Sequence, residues 1–184
     1  MNLPSGKILK TNLDTSSTDF LALVDELRRK RFNGYVALSI KGQAGVEEGT
    51  ILVDTGKIVG TTYEYYAFGL ELAGEKAFQR MLNAAVCKNG IIDAVELTSE
   101  QVHLALAFHE DAVFVPSEES LRHIKLGAFS PFFEEEVRKL TTASVEASRT
   151  ETGDPNAGTG KKYKMYDLTK TDAPKGGMPE GKHL

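Results

Sequence analysis

Thr50-Ile51-Leu52-Val53-Asp54-Thr55-Gly56-Lys57-Ile58-Val59-Gly60 is the stretch on which the fold of this chain turns. Short apolar, β-branched runs flank an Asp-Thr-Gly centre. An aspartate that bonds back to the turn backbone, followed two positions later by a glycine able to take positive φ, predicts a short β-hairpin with a G1 bulge. Its second strand runs on through Lys57 to Tyr66. Upstream, Lys41 to Gly49 holds Gly42, Gly45, Glu47 and Glu48 and reads as a turn or exposed loop. Before it, Phe32, Gly34, Val36, Leu38 and Ile40 alternate with Asn33, Tyr35, Ala37, Ser39 and Lys41, the period of a strand with one buried face. Further back, Ser17-Thr18-Asp19 opens a helix of about three turns whose apolar face is Phe20, Leu23, Val24 and Leu27.

Downstream of Gly69 the period changes to that of a helix. Leu70, Ala73, Ala77, Phe78, Met81, Leu82 and Ala85 mark one face over about four turns, and Asn89-Gly90 stops it. A strand follows through Ile91 to Leu97, then Thr98-Ser99-Glu100-Gln101, a capping box opening a helix through Phe108. Ala112 to Val115 reads as one more short strand. Ser117 to Leu140 reads as two short helices, the second opened by Ser130-Pro131 and carrying Phe133, Val137 and Leu140 on one face. The expectation is an α+β fold, a mainly antiparallel sheet of about four to five strands with helices packed on it.

With 184 residues the chain suits one domain, expected over 1–144 with a helical extension over about 117–141. Beyond it, 145–184 is rich in Gly, Pro, Ser, Thr and charge and is expected to be a disordered tail. Inside that tail Lys161-Lys162-Tyr163-Lys164-Met165-Tyr166-Asp167-Leu168 is the one motif-like segment, with Tyr163 and Tyr166 as contact candidates. Hydrophobic residues are 41% and charged residues 26%, which argues against fibrous and wholly disordered classes. The longest apolar runs, Phe20 to Val24 and Leu104 to Phe108, are five residues, so no membrane span is expected. No apolar run backs the charge of the opening residues, and the single Cys87 makes no internal disulfide; both point to the cytoplasm. A net charge of −4 offers no general attraction to phosphate backbones, so nucleic acid is not the expected partner. The dense basic cluster Arg28-Arg29-Lys30-Arg31 ends a helix, where cations offset the helix dipole; Arg28, Arg29 and Arg31 are kept as contact candidates.

Few residues are patterned for chemistry. His103 and His109 stand six apart, about 240° around a helix, and share no face. With one cysteine, no CxxC and no HExxH, no metal is expected. Gly158-Thr159-Gly160-Lys161-Lys162 fails as a phosphate loop: Pro155 stands where glycine is required and Lys162 where Ser or Thr would bind magnesium. No dinucleotide fingerprint and no nucleophile elbow occur, and no cofactor is expected. Asp54 is read as a turn residue, and Glu134-Glu135-Glu136 as complementing a helix dipole. Tyr63-Glu64-Tyr65-Tyr66, with Phe68 beyond, places Tyr63 and Tyr65 on one strand face and Glu64 and Tyr66 on the other. Aromatic groups with polar tips suit either a core or a protein interface.

Phe32-Asn33-Gly34-Tyr35-Val36-Ala37-Leu38, Glu48-Gly49-Thr50-Ile51-Leu52-Val53, Asp54-Thr55-Gly56-Lys57-Ile58-Val59-Gly60 and Gly74-Glu75-Lys76-Ala77-Phe78 together resemble the PATAN-like family. The likeness spans roughly residues 17–97, with a PATAN-like core expected over about 17–115. The opening Leu3-Pro4-Ser5-Gly6-Lys7 is similar to an uncharacterised archaeal family of that organisation. This chain departs from the PATAN-like pattern in its long Tyr63 to Phe68 stretch, and, unlike the usual architecture, no receiver or kinase domain is expected with it. The matching residues are structural: Gly34 opens a strand, Gly56 turns a hairpin, and Gly74 and Ala77 let a helix approach the sheet. The resemblance implies a protein-interaction or signalling-adaptor module and no activity. The function expected is therefore a non-enzymatic cytoplasmic interaction module, with a homodimer through the sheet edge or the aromatic strand as one form of it. The alternative is a ligand-binding protein or enzyme with a site assembled from Asp54, Glu64, Asp93 and His109.

Overall fold

The Asp54 to Lys57 turn closes its hairpin by a geometry other than the expected one. The computed structural model describes residues 1–122 together with Ile124, Leu126 and Phe129. Thr55 (φ 49°) and Gly56 (φ 76°) both take positive φ between the paired Asp54 and Lys57, a two-residue turn with no bulge in it. The irregularity lies deeper, where the register shifts between Leu52 and Val53. The Asp54 carboxylate accepts from the Thr55 hydroxyl at 3.5 Å, but its shorter contacts are with Ser99 and His103 and not on the turn backbone. Asn33 Oδ1 accepts from the Thr55 amide, and the Gly56 amide donates to the Phe32 carbonyl at 2.9 Å, so the segment leaving the first helix clamps the hairpin tip. A Cβ on Gly56 would stand 2.4 Å from the Arg28 carbonyl oxygen, so both close approach and φ demand glycine there.

Around this hairpin, β1 (Lys7–Asp14), α1 (Phe20–Arg29), β2 (Gly34–Lys41), β3 (Val46–Asp54), β4 (Lys57–Tyr65), β5 (Leu70–Ala73), α2 (Gly74–Ala84), β6 (Gly90–Glu96) and α3 (Ser99–Ala107) follow in order. A 3₁₀ turn (Glu110–Ala112) and α4 (Glu118–Arg122) complete the described elements. The fold is α+β, with one six-stranded sheet in the order β1-β6-β2-β3-β4-β5 and every neighbouring pair antiparallel. Because β6 lies between β1 and β2, those two strands run parallel to each other and α1 carries the chain between them.

Six strands replace the expected four to five, for reasons local to each. β1 lacks alternation because it is an edge strand with most side chains in solvent and two register shifts against β6. β3 begins at Val46, inside the segment read as a loop, since Glu47 is buried despite its charge. Leu70 to Ala73 fits a helical period but pairs with β4 instead; Gly74, at φ 62°, breaks the strand and α2 starts there. Ala112 to Val115 forms no strand, only a single bridge from Val113 to Gly60. The caps follow the sequence. Asp19 Oδ1 accepts from the Ala22 amide at 2.9 Å, and Thr98 and Gln101 form both bonds of the capping box.

Two cores sandwich the sheet. On one face α1 and α2 pack Phe20, Leu23, Leu27, Phe78 and Met81 against Val36, Leu38, Ile51, Ile58 and Ile92. On the other, Val102 and Ala105 of α3 cover Leu52, Val95 and Leu97, with Met1 and Leu3 packed alongside. The Gln101 side chain donates to the Ser5 carbonyl at 3.3 Å, tying the opening segment to α3. This second cover reaches only part of the sheet. Among the described residues no helix is long and apolar enough to cross a membrane. The expected helix at Ser130 to Leu140 and the expected tail, with Tyr163 and Tyr166, lie outside the described residues.

Candidate functional site

On the sheet face that α3 shares, register fixes a row of side chains beyond the reach of the helix. Ser39 stands opposite Glu48, Glu48 opposite Glu64, and Glu64 opposite Glu71. Neighbouring strands are about 4.8 Å apart, so three carboxylates line up within about 10 Å. Like charges directly opposite one another destabilise a sheet. Ser39 Oγ donates to Glu48 Oε2 at 3.2 Å. On one flank of the row Thr50 and Thr62 form a buried pair; on the other flank Val46 (53% exposed) and Tyr66 (51%), and opposite Ser39 at the β6 end Ile91 (41%), present apolar surface. Burial first, then Glu48, Glu64 and Glu71, pushes the Tyr66 phenol above its ordinary pKa. Burial, then Asp93 and Glu48, does the same to Tyr35. A shallow cavity of about 470 Å³ lies where the opening segment meets this face, lined by Ser5, Thr11, Tyr35, Glu48 and Asp93.

The aromatic strand divides as its alternation requires. Tyr66 is exposed and Phe68 half-buried against Tyr65 at 6.4 Å between ring centroids. Tyr63 and Tyr65, kept as contact candidates with the core as the other reading, are 0% and 1% exposed and fill the core. They pack under α2, on a charge pair the sequence reading passed over. Arg80 Nη2 donates to Glu47 Oε2 at 2.6 Å, Arg80 Nη1 to Asn83 Oδ1 at 2.6 Å, and Tyr63 OH to Glu47 Oε2 at 2.7 Å. The guanidinium lies 5.3 Å from the Tyr63 ring centroid and 5.6 Å from that of Tyr65. Burial drives the Tyr63 phenol far above its ordinary pKa, with Arg80 opposing and Glu47 adding to the rise, so it stays a donor. One signal for this pair was available: Arg80 falls about 60° from Ala77 on the helical wheel, at the margin of the apolar face.

The basic cluster is largely neutralised. Arg28 meets Glu118 at 3.3 Å and Asp25 at 3.9 Å, Arg29 meets Asp25, and Lys30 meets Glu26 at 2.7 Å. Arg31 is exposed at positive φ. The four groups of the alternative site have separate surroundings. Asp93 accepts from Thr11 Oγ1 and the Asn12 amide, both at 2.8 Å; His109 Nε2 accepts from the Asn2 amide at 3.3 Å; Glu64 belongs to the carboxylate row. Asp54 meets α3, where Ser99 Oγ donates to Oδ1 at 2.7 Å and His103 Nε2 lies 3.1 Å from Oδ2. A nucleophilic serine needs its hydroxyl on the imidazole, with the carboxylate behind. Here serine and histidine both hang on the aspartate, which docks the hairpin onto α3. The Ser99 hydroxyl, against burial and with help from His103, holds the Asp54 carboxyl below its ordinary pKa. Among the described residues no three His, Cys, Asp or Glu side chains gather as a metal would require.

Fold and surface together define a six-stranded antiparallel α+β module with one sheet face half open. Residues 1–109, from β1 through α3, match the family described as "Uncharacterized protein conserved in archaea (DUF2226)", and the chain belongs to that family. It is also similar to an uncharacterised protein of Archaeoglobus fulgidus, 26% identical over 113 residues. That match takes in 61% of this chain and 43% of the relative, so the chain spans less than half of the relative's length. No solved structure matches it.

Proposed function

We propose that this chain is a non-enzymatic, cytoplasmic protein-interaction module of the signalling-adaptor kind, and that its contact surface is the open half of the sheet. One observation carries the reading: Glu48, Glu64 and Glu71 stand in adjacent cross-strand positions beside exposed Tyr66 and Val46. The Met1 ammonium, 3.6 Å from Glu71 Oε1, offsets that end of the row, so the like-charge cost falls on Glu48 opposite Glu64, and a basic partner would return it on binding. An aromatic group with a polar tip at the rim suits a protein contact. The resemblance of the Gly34, Gly56 and Gly74 segments to the PATAN-like family supports the same class.

The charge pattern favours a different protein over a second copy. Two copies meeting face to face on a two-fold axis would bring like carboxylates together. At the sheet edge, Lys7, Lys10 and the two register shifts of β1 work against strand addition. The test is site-specific photo-crosslinking in cells that make the protein, with benzoylphenylalanine at Tyr66 and, as control, at exposed Gln79 on α2. A discrete protein adduct forms at 66 and not at 79, and Glu48→Lys with Glu64→Lys abolishes it. Equal adducts at the two positions, or none at 66, would sink the proposal.

A further inference from the structure

The two faces of the sheet are covered unequally. On one, α1 and α2 both pack over the core; on the other, α3 is the only helix among the described residues, and it sits over Leu52 and Val95. Beyond the buried Thr50, β3 runs four residues further to Val46, about 13 Å at the usual rise and a little more than the diameter of one helix. Across β5, β4, β3, β2 and β6 the same strip spans four strand spacings, about 19 Å, room for about 13 helical residues. The strip is acidic along its length. Glu71, Glu64 and Glu48 follow one another from β5 to β3, and Glu48 shares the rim of the 470 Å³ cavity with Asp93 of β6. Val46 and Tyr66 give it one apolar flank. One cation is already seated there, the Met1 ammonium on Glu71.

We propose that this strip seats a basic α-helix of a partner protein, laid across the strands beside α3. The proposal rests on the contact surface proposed above and adds the shape and charge pattern of what meets it. Spacing separates a helix from an extended segment. Carboxylates on adjacent strands recur about every 4.8 Å, while helix side chains at i, i+4 and i+7 advance about 6 and 10.5 Å along the axis, so lysines or arginines there stay within about 1 Å of step with Glu48, Glu64 and Glu71. An extended segment laid the same way presents same-face residues about every 6.8 Å and is about 4 Å out of step at the third. Laid along the strands instead, it meets one carboxylate of the row. An apolar residue at i+3 of the helix faces Val46 and Tyr66, and opposite charge across the contact sets the orientation.

A labelled alanine-rich peptide with lysines at i, i+4 and i+7 tests this by fluorescence anisotropy against the full chain, in three forms: free, locked as a helix by a lactam staple on its far side, and broken by a central proline. A helix this short is marginal alone, so locking removes an ordering cost: the stapled form binds about tenfold tighter than the free one, and the proline form at least about tenfold weaker. Glu48→Gln/Glu64→Gln relieves the facing charges and so keeps the fold, yet lowers the affinity for the stapled form at least about tenfold. Glu75→Gln/Glu100→Gln, the same change of net charge at exposed positions off the strip, leaves it within about twofold. Equal binding of the three forms overturns the helix while an adduct at Tyr66 keeps the contact surface standing. Undiminished binding by Glu48→Gln/Glu64→Gln overturns the strip as its seat. Absence of binding by every form overturns the proposal too, and the cross-link at Tyr66 then shows whether the surface falls with it.

Discussion

Replacing Arg80 by methionine keeps much of the side-chain volume under α2 but leaves Glu47 buried without its cation. Arg80 is 0% exposed and Glu47 3%, so solvent does not rescue the carboxylate, and Tyr63 remains as its donor at 2.7 Å. Among the described residues Glu47 Oε1 already has no hydrogen-bond partner. Breaking such a pair by removing one member costs about 3–5 kcal/mol, a large share of the stability of a single domain. For a domain of this size that is a fall in Tm on the order of 10–15 °C. Glu47→Gln in the same chain removes the stranded charge while keeping an acceptor for Tyr63. The double variant is therefore more stable than Arg80→Met alone, and the cycle returns a coupling of about 2 kcal/mol. Urea titrations followed by circular dichroism measure this, with unchanged slopes confirming that each variant unfolds from the same compact state. If Arg80→Met costs under about 1 kcal/mol, or the two single effects simply add, the pair is not the desolvated unit described here.

Three further outcomes follow from individual contacts. Thr98→Ala removes the acceptor of the Gln101 amide and half of the capping box; a loss of about 1 kcal/mol is expected in the same titration, and a negligible change would mean that α3 is fixed by Val102 and Ala105 alone. Gly56→Ala meets the Arg28 carbonyl and an unfavourable φ together, so it costs more than the roughly 1 kcal/mol of an ordinary glycine substitution; thermal melting decides. Asp54, its pKa depressed by Ser99, contributes stability present above the ordinary carboxyl value of 3.8 and lost as pH falls through the lower folded value. The Tm advantage of the wild type over Asp54→Asn should accordingly close in the acid range, and a gap that stays constant below that value would show that the Ser99 contact does not depend on charge.

What the sequence displayed was set by contacts close along the chain. The β3–β4 hairpin, the Asp19 cap and the Thr98 box each need partners within a few residues, and each was legible. β1 was not, because its pairing partner lies some 80 residues away and its edge position removes the alternation that marks a half-buried strand. β5 was absorbed into α2 since Leu70 and Ala73 suit either period; only the turn at Gly74 separates them. At the surface, Glu64 and Tyr66 were assigned to one strand face directly. The carboxylate row required knowing that Glu48 belongs to a strand, which its neighbouring glutamate and glycines disguised. Glu47 and Arg80 stayed hidden for a related reason: each charge looks exposed until the other, 33 residues away, is brought to it.

The placing of β6 between β1 and β2 also sets a timetable for a chain made from its N-terminus. The β2–β3–β4 meander closes with local turns and can form early, yet one flank of β2 has no partner until β6 is made. From the end of β2 at Lys41 to the end of β6 at Glu96, synthesis at about 5–20 residues per second takes several seconds. For that interval Val36, Leu38 and Ile40 sit on a strand whose amide row is open, while β1, although made first, has nothing to pair with. The nascent molecule passes through a state exposed to pairing with other chains, and completion of β6 closes two strand pairings at once.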